Sequence, residues 1–166
     1  MTGTPPLTLL PIEADQLRAL IRGAQHIGPH EVEPGALPPD FILTGALQDL
    51  AAQGDPFWAL PRAFVTQEDG RVLGVGGFKG APDEGRIEIG YGVAESARGR
   101  GVATTAVRLL LEEAAAHPAI HTVLAETLQD NTASRRVLEK AGFYHLGQRY
   151  AGVDGTLDCW VYALAP

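Results

Sequence analysis

The chain has 166 residues, 45% hydrophobic and 20% charged, which suits one globular domain with a substantial core and excludes a disordered segment. Its net charge of −7 argues against nucleic acid and anionic membranes as partners, and no apolar run approaches the ~20 residues that cross a bilayer. Cys159 is the only cysteine, so neither an intrachain disulfide nor a thiolate metal cluster is available, and Met1–Pro6 lacks a signal-peptide pattern, which points to a reducing cytoplasm.

In chain order, residues 7–12 read as a strand, and 13–23 as a helix with Leu17, Leu20 and Ile21 on one face. The Pro- and Gly-rich stretch 28–39 reads as an irregular loop. Asp40 is expected to cap a second helix to about Gln53, with Leu43, Leu47 and Leu50 inward and Gly54 as its stop. Asp69-Gly70 predicts a hairpin turn between strands at 62–68 and 71–79. The glycines Gly74, Gly76 and Gly77 inside the second strand mark a bulge or close packing rather than a phosphate loop.

The strand at 86–93 alternates, with Ile87, Ile89, Tyr91 and Val93 on one face and Arg86, Glu88, Gly90 and Gly92 on the other. Helix 102–116 follows, then a strand at 120–127, a helix at 131–141 stopped by Gly142, and strands at 143–150 and 156–164. The order β-α-α-β-β-β-α-β-α-β-β predicts a single α/β (α+β) domain, a mixed sheet with helices packed against it.

Charge is unevenly distributed. Residues 1–97 carry a net −7, whereas 98–149 carry a net +2, which suggests a local anion site in an acidic protein. The segment Arg98-Gly99-Arg100-Gly101-Val102-Ala103-Thr104 lies where a strand gives way to a helix. A helix start leaves backbone N–H groups without partners, its dipole adds positive potential, and Gly99 and Gly101 allow close backbone approach. These features describe a pyrophosphate cradle. The P-loop ending Gly-Lys-Ser/Thr is missing, and the turn does not follow the first strand of a βαβ unit.

The run Ile87-Glu88-Ile89-Gly90-Tyr91-Gly92-Val93 followed by 98–104 resembles the acetyl-CoA motif of the GNAT superfamily of N-acetyltransferases. Asp130-Asn131-Thr132-Ala133-Ser134-Arg135-Arg136-Val137-Leu138-Glu139-Lys140-Ala141-Gly142-Phe143 is similar to the second signature of that family. The details are most like the branch of ribosomal-protein N-terminal acetyltransferases, whose members also modify small molecules. The resemblance implies a mainly antiparallel GNAT sheet, acetyl-CoA as cosubstrate, and transfer of acetyl from the thioester to a primary amine, either a small molecule or a protein N-terminus. It implies no metal, and a monomer or homodimer.

By the same resemblance, Arg98, Gly99, Arg100, Gly101, Val102, Ala103 and Thr104 hold the pyrophosphate through main-chain N–H groups. The end of the Glu88–Val93 strand pairs with the pantetheine arm, and the Val93 N–H polarises the thioester carbonyl. Asn131 either contacts the cofactor or simply caps the following helix. Many relatives carry on this helix a tyrosine that protonates the departing thiolate, and the matching position here is Leu138. A module that binds acyl-CoA without turnover is therefore the alternative.

The chemistry needs a base for a protonated amine and a donor for the developing oxyanion. Glu88 leads as base, because it lies on the cofactor-facing strand and glycines on its face leave room for an acceptor. Glu126 is the runner-up. Ser134 is the candidate acid, one helical turn before Leu138, with Tyr91 and Tyr144 behind it. The net −7 of 1–97 is expected to draw in cationic amines. Phe57 and Trp58 either wall the acceptor pocket or pack in the core. The spacing of His26/His30 and His117/His121 is broken by prolines and predicts no metal site.

Overall fold

A computed structural model describes residues 3–165; Met1 and Thr2, at the start of the segment read for a signal sequence, lie outside the described residues. The elements are β1 (Leu7–Pro11), α1 (Ala14–Ile21), β2 (His26–Ile27), β3 (His30–Glu31), α2 (Asp40–Gln53), α3 (Pro56–Ala59), β4 (Arg62–Thr66), β5 (Val72–Phe78) and β6 (Arg86–Val93). They continue through α4 (Val102–Ala115), β7 (Thr122–Leu128), α5 (Thr132–Ala141), β8 (Tyr144–Tyr150) and β9 (Thr156–Ala163). Seven strands form one sheet in the order β1-β4-β5-β6-β7-β9-β8. Every neighbouring pair is antiparallel except β6/β7, which α4 joins as a parallel crossover.

Strand alternation divides the core between the two faces of this sheet. Leu7, Phe64 and Leu73 pack with Val102 and Ala106 of α4, while Ala63, Val65 and Val75 pack with Leu17, Leu20 and Leu43 of α1 and α2. Ile87, Ile89 and Val123 continue the α4 side, where Val107, Leu110 and Leu138 close over them. Covered on both faces, β4 is buried at all five positions, including the polar Arg62 and Thr66 at its ends. Gly76 makes room for one of these rings, since a Cβ there would lie 2.7 Å from Phe64 Cζ. The glycines of β5 thus serve close packing, and a register shift at Phe64/Val65 accompanies them.

Three expectations need correction. Pro39, not Asp40, is the N-cap of α2; Asp40 is the first helical residue, where its charge still suits the helix dipole. The 28–39 stretch is not wholly irregular, because β2 and β3 form a small hairpin through Gly28 (φ 58°), and the Glu33 N–H then donates to Val72 O at 2.9 Å. The short helix α3 was missed. Asp55-Pro56 starts it, with the Asp55 carboxylate accepting from Phe57 N at 3.0 Å and Pro56 at the first helical position. Gly54 ends α2 with φ 75°, as its position in the sequence predicts.

Candidate functional site

The parallel β6/β7 pair comes apart midway. Its register runs from Arg86↔Thr122 to Glu88↔Leu124 and stops, while β6 stays paired with β5 as far as Val93 and β7 with β9 as far as Leu128. The ladder on the β5 side sets the direction of the freed groups. Ala94 N donates to Leu73 O and Lys79 N to Glu88 O, each at 2.8 Å. Val93/Gly74 and Ile89/Phe78 are therefore non-hydrogen-bonded pairs, and by alternation so is Tyr91/Gly76. The N–H and C=O of Tyr91 and Val93 consequently point away from β5, into the opening.

That opening belongs to a cleft of about 820 Å³. Its lining includes 89–93 of β6, Glu126, Thr127 and Leu128 of β7, Asn131 just before α5 and Ser134 within it, Lys79 after β5, and one face of α2. The glycine turn lies beyond this lining. Gly99 (φ 75°) and Gly101 (φ 76°) both adopt the left-handed conformation, and Gly101 is the N-cap residue of α4. The Thr105 N–H is the one that meets Gly101 O, at 3.0 Å, so the amides of Val102, Ala103 and Thr104 precede the helical ladder. Val102 and Thr104 turn their side chains into the protein, and Arg98 and Arg100 are exposed. What the turn offers an anion is therefore main-chain N–H groups flanked by two guanidinium groups. A Cβ built at Gly92 or Gly99 meets nothing within 4 Å, whereas one at Gly101 collides with the Thr4 hydroxyl. Glycine at 101 thus serves packing against the N-terminal segment as well as backbone conformation.

Tyr91 and Ser134 meet inside the cleft, hydroxyl to hydroxyl at 2.8 Å. Burial pushes the Tyr91 phenol above its ordinary pKa, against a smaller opposing effect of the Ser134 hydrogen bond. Leu138, one turn further on, is fully buried in the core and is not among the residues that line the cleft. Asn131 caps α5, its Oδ1 accepting from Ser134 N at 3.1 Å. Its amide nitrogen is not consumed by this bond, so capping and lining the cleft are compatible.

The two candidate bases are both ion-paired. Glu88 lies 3.1 Å from Lys79 Nζ and is not among the lining residues. The space over Gly90, expected to be open to an acceptor, is occupied by the Lys79 stem; a Cβ on Gly90 would sit 2.7 Å from Lys79 Cε. Glu126 does line the cleft and is gripped by Arg149, with Arg149 Nη2 donating to its Oε1 at 2.9 Å. That hydrogen bond, opposed by partial burial, holds the Glu126 carboxyl below its usual range. Tyr144 is exposed on β8, away from the cleft.

The aromatic pair takes the packing role. Trp58 is buried, and the two rings pack against Phe78, Phe57 stacked and Trp58 edge-on, and against His117 rather than lining the cleft. Among the described residues no group of three or more His, Cys, Asp or Glu side chains could hold a metal, and no helix is long and apolar enough to cross a membrane. Lys79 and Arg149 were not anticipated, because ion pairs between strands depend on register. Asp49 was also missed, although its spacing of seven from Ile42 places both on one face of a helix.

Fold and cleft define a mixed α/β domain whose central parallel strand pair splays beside a glycine turn, and comparison with known proteins names its family. The model of the acetyltransferase (GNAT) domain family matches residues 7–144, and the chain belongs to that family. The uncharacterized N-acetyltransferase YjdG of Bacillus subtilis (strain 168) is 35% identical over 80 residues, 48% of each chain. The probable N-acetyltransferase YjcK of the same organism is 41% identical over 59 residues, 36% of this chain and 33% of that one. The chain thus spans about half the length of the first of these relatives and a third of the second. Two solved structures share its fold. RimL, a ribosomal L7/L12 alpha-N-protein acetyltransferase in complex with coenzyme A, superposes with a TM-score of 0.69 at 17% identity, covering 99% of this chain and 97% of that one. Aminoglycoside acetyltransferase AAC(6')-Ib in complex with coenzyme A has a TM-score of 0.66 at 22% identity, with 95% of each chain covered.

Proposed function

We propose that this protein is an acetyl-CoA-dependent N-acetyltransferase acting on a primary amine, a small molecule or a peptide N-terminus. The observation that carries this reading is the parting of β6 from β7 beyond Glu88 and Leu124, with the Tyr91 and Val93 amides facing the opening. An extended amide-bearing arm fits between two strands whose facing edges lack partners, and the Gly99/Gly101 turn suits the phosphate end. The residues present therefore fit acetyl-CoA: 98–104 toward the pyrophosphate, 89–93 and Asn131 along the arm, and the Val93 N–H toward the carbonyl oxygen. When bound, acetyl-CoA supplies an acyl group activated by its thioester.

The chain's own groups supply the rest. Glu126, on the lining, accepts a proton from the acceptor ammonium, and Glu88 serves through water from outside the lining. The Ser134–Tyr91 hydroxyl pair holds a proton for the departing sulfur. In balance, the carbonyl carbon exchanges its bond to sulfur for one to nitrogen, and the ammonium loses two protons, one through Glu126 to solvent and one that ends on the departing thiolate. AAC(6')-Ib and RimL are described by their names as acting on aminoglycosides and on a ribosomal protein, and both amine types remain within this proposal.

The test is release of free thiol from acetyl-CoA in the presence of assorted amines, with calorimetry of coenzyme A binding alongside. Amine-dependent thiol release is the expected result. Tight cofactor binding with no release from any amine would instead identify a binding module.

A further inference from the structure

Helix α2 has two faces with different duties. Leu43, Leu47 and Leu50, spaced four and three apart, pack against the core. Phe41, Ile42, Gly45, Ala46 and Asp49 recur at the same helical spacing and line the cleft. Two of these lining residues are large, apolar and exposed, Phe41 at 72% and Ile42 at 46%, and across the cleft Leu128 is 45% exposed. Other exposed apolar side chains, Tyr144, Leu146, Tyr150 and Val153, lie on β8 and the turn after it, but these three share the walls of one cleft, where a ligand can bury them.

The charges of the cleft tell a complementary story. Its lining carries two carboxylates, Asp49 and Glu126, and one cation, Lys79. Glu126 is committed to Arg149, and Lys79 to Glu88. Asp49 is half-buried, and no ion pair involving it occurs among the described residues. The acidity of residues 1–97 is therefore not gathered in the cleft, which presents one uncommitted negative charge on an otherwise apolar wall. A polycation placed there would bring two or more ammonium groups to one free carboxylate and desolvate the others against Phe41, Ile42 and Leu128, at a cost that nothing nearby offsets.

We infer that the acceptor is an amine with a single positive charge beside an apolar group, drawn into the cleft by Asp49 as its ammonium, which then yields its proton to Glu126, and held by Phe41, Ile42 and Leu128 through its apolar part. This rests on the acetyl-transfer reading and narrows it. Polyamines and aminoglycosides are poor acceptors on this account. A small apolar monoamine and the α-amine of a peptide with an apolar first side chain share the required chemistry, and Asp49 is the residue that decides between charge types.

The experiment compares phenethylamine, a tripeptide amide beginning with leucine, ethanolamine, spermidine and tobramycin, by thiol release and by calorimetric binding of each amine to the protein. Phenethylamine or the leucyl peptide is expected to exceed ethanolamine, spermidine and tobramycin in kcat/KM by at least about tenfold, the scale of one or two buried apolar contacts. Which of the two apolar acceptors leads identifies the source of the amine. Asp49→Asn should raise KM for the preferred acceptor by roughly tenfold with kcat little changed, and weaken its calorimetric affinity to match. Ile42→Glu, which adds a second carboxylate on the exposed stripe, should raise spermidine relative to phenethylamine. Preference of the wild type for spermidine or tobramycin, or an Asp49→Asn variant with unchanged KM and affinity, overturns the inference while leaving acetyl transfer intact. Absence of thiol release with every acceptor overturns acetyl transfer itself, and binding of phenethylamine lost in Asp49→Asn would still support the charge pairing.

Discussion

The Tyr91 hydroxyl lies 2.8 Å from the Ser134 hydroxyl, joining β6 to α5 across the cleft. Two residues sharing one proton position act as a unit, so their substitutions are expected to be non-additive. Ser134→Ala and Tyr91→Phe should each lower kcat by about tenfold, and the double variant should lose little more. Single-turnover thiol release measures this. Because burial raises the Tyr91 pKa, the phenol stays protonated through neutral and mildly alkaline pH, and any support it gives fades only as pH rises through that elevated value. Fully additive losses would show two independent roles.

The carboxylates make a second prediction. Glu126→Gln should lower the rate at neutral pH by roughly a hundredfold, the usual scale for losing a general base, with partial recovery at high pH where free amine is abundant. Glu88→Gln should cost less, since Glu88 lies outside the cleft lining and is tied to Lys79. The Glu126 pKa is lowered, chiefly by Arg149, so this carboxylate keeps its charge from neutral pH into the acid range. Its pairing with Arg149 is accordingly present at neutral pH and lost only as pH falls through the lowered value. The rise of kcat/KM with pH should then follow the acceptor amine and shift when the amine is changed. A larger effect at Glu88 would transfer the base to that residue.

The glycine turn separates folding from binding. Gly101→Ala places a Cβ at positive φ and against the Thr4 hydroxyl, so it should cost stability as well as coenzyme A affinity. Gly99→Ala incurs only the left-handed backbone cost of about 1–2 kcal/mol, because nothing lies near its Cβ. Urea denaturation and calorimetry on both variants distinguish the two effects. The expected signature is a larger stability loss at 101 and a loss of affinity at both. Unchanged affinity in both would remove the turn from the cofactor site.

Arg62 is a structural charge. It is 2% exposed, with its guanidinium 4.8 Å from the centroids of both Phe57 and Phe78 and its Nη1 donating to Leu60 O at 2.7 Å. Its Nε lies 3.2 Å from Glu113 Oε2, an ion pair whose atoms are not aligned for a hydrogen bond. Burial lowers the Arg62 pKa and Glu113 works against that shift. Removing the partner leaves a buried charge uncompensated, so Glu113→Gln should destabilise the fold by about 3 kcal/mol, and Arg62→Ala by at least as much. Arg62→Met, which keeps the packing and deletes the charge, should fall well short of that. Equal losses in Arg62→Met and Arg62→Ala would assign the effect to hydrogen bonding rather than packing.

Much of this protein is written locally. Period-two alternation located the strand carrying Ile87, Ile89 and Tyr91, and the glycines at 54 and 142 marked helix ends because left-handed backbone there favours a residue without Cβ. The shape of the 98–104 turn was legible for the same reason: Gly99 and Gly101 take the left-handed backbone that opens α4. What the sequence left open depends on which strands become neighbours. The β6/β7 parting, the commitment of Glu126 to Arg149 and the Tyr91–Ser134 contact each join residues far apart in the chain. None has a periodic or short-range signature, because each is fixed by sheet order and register. Asp49 lies between these cases, since helical spacing puts it on a face with Ile42, and only the packing of α2 turns that face toward the cleft.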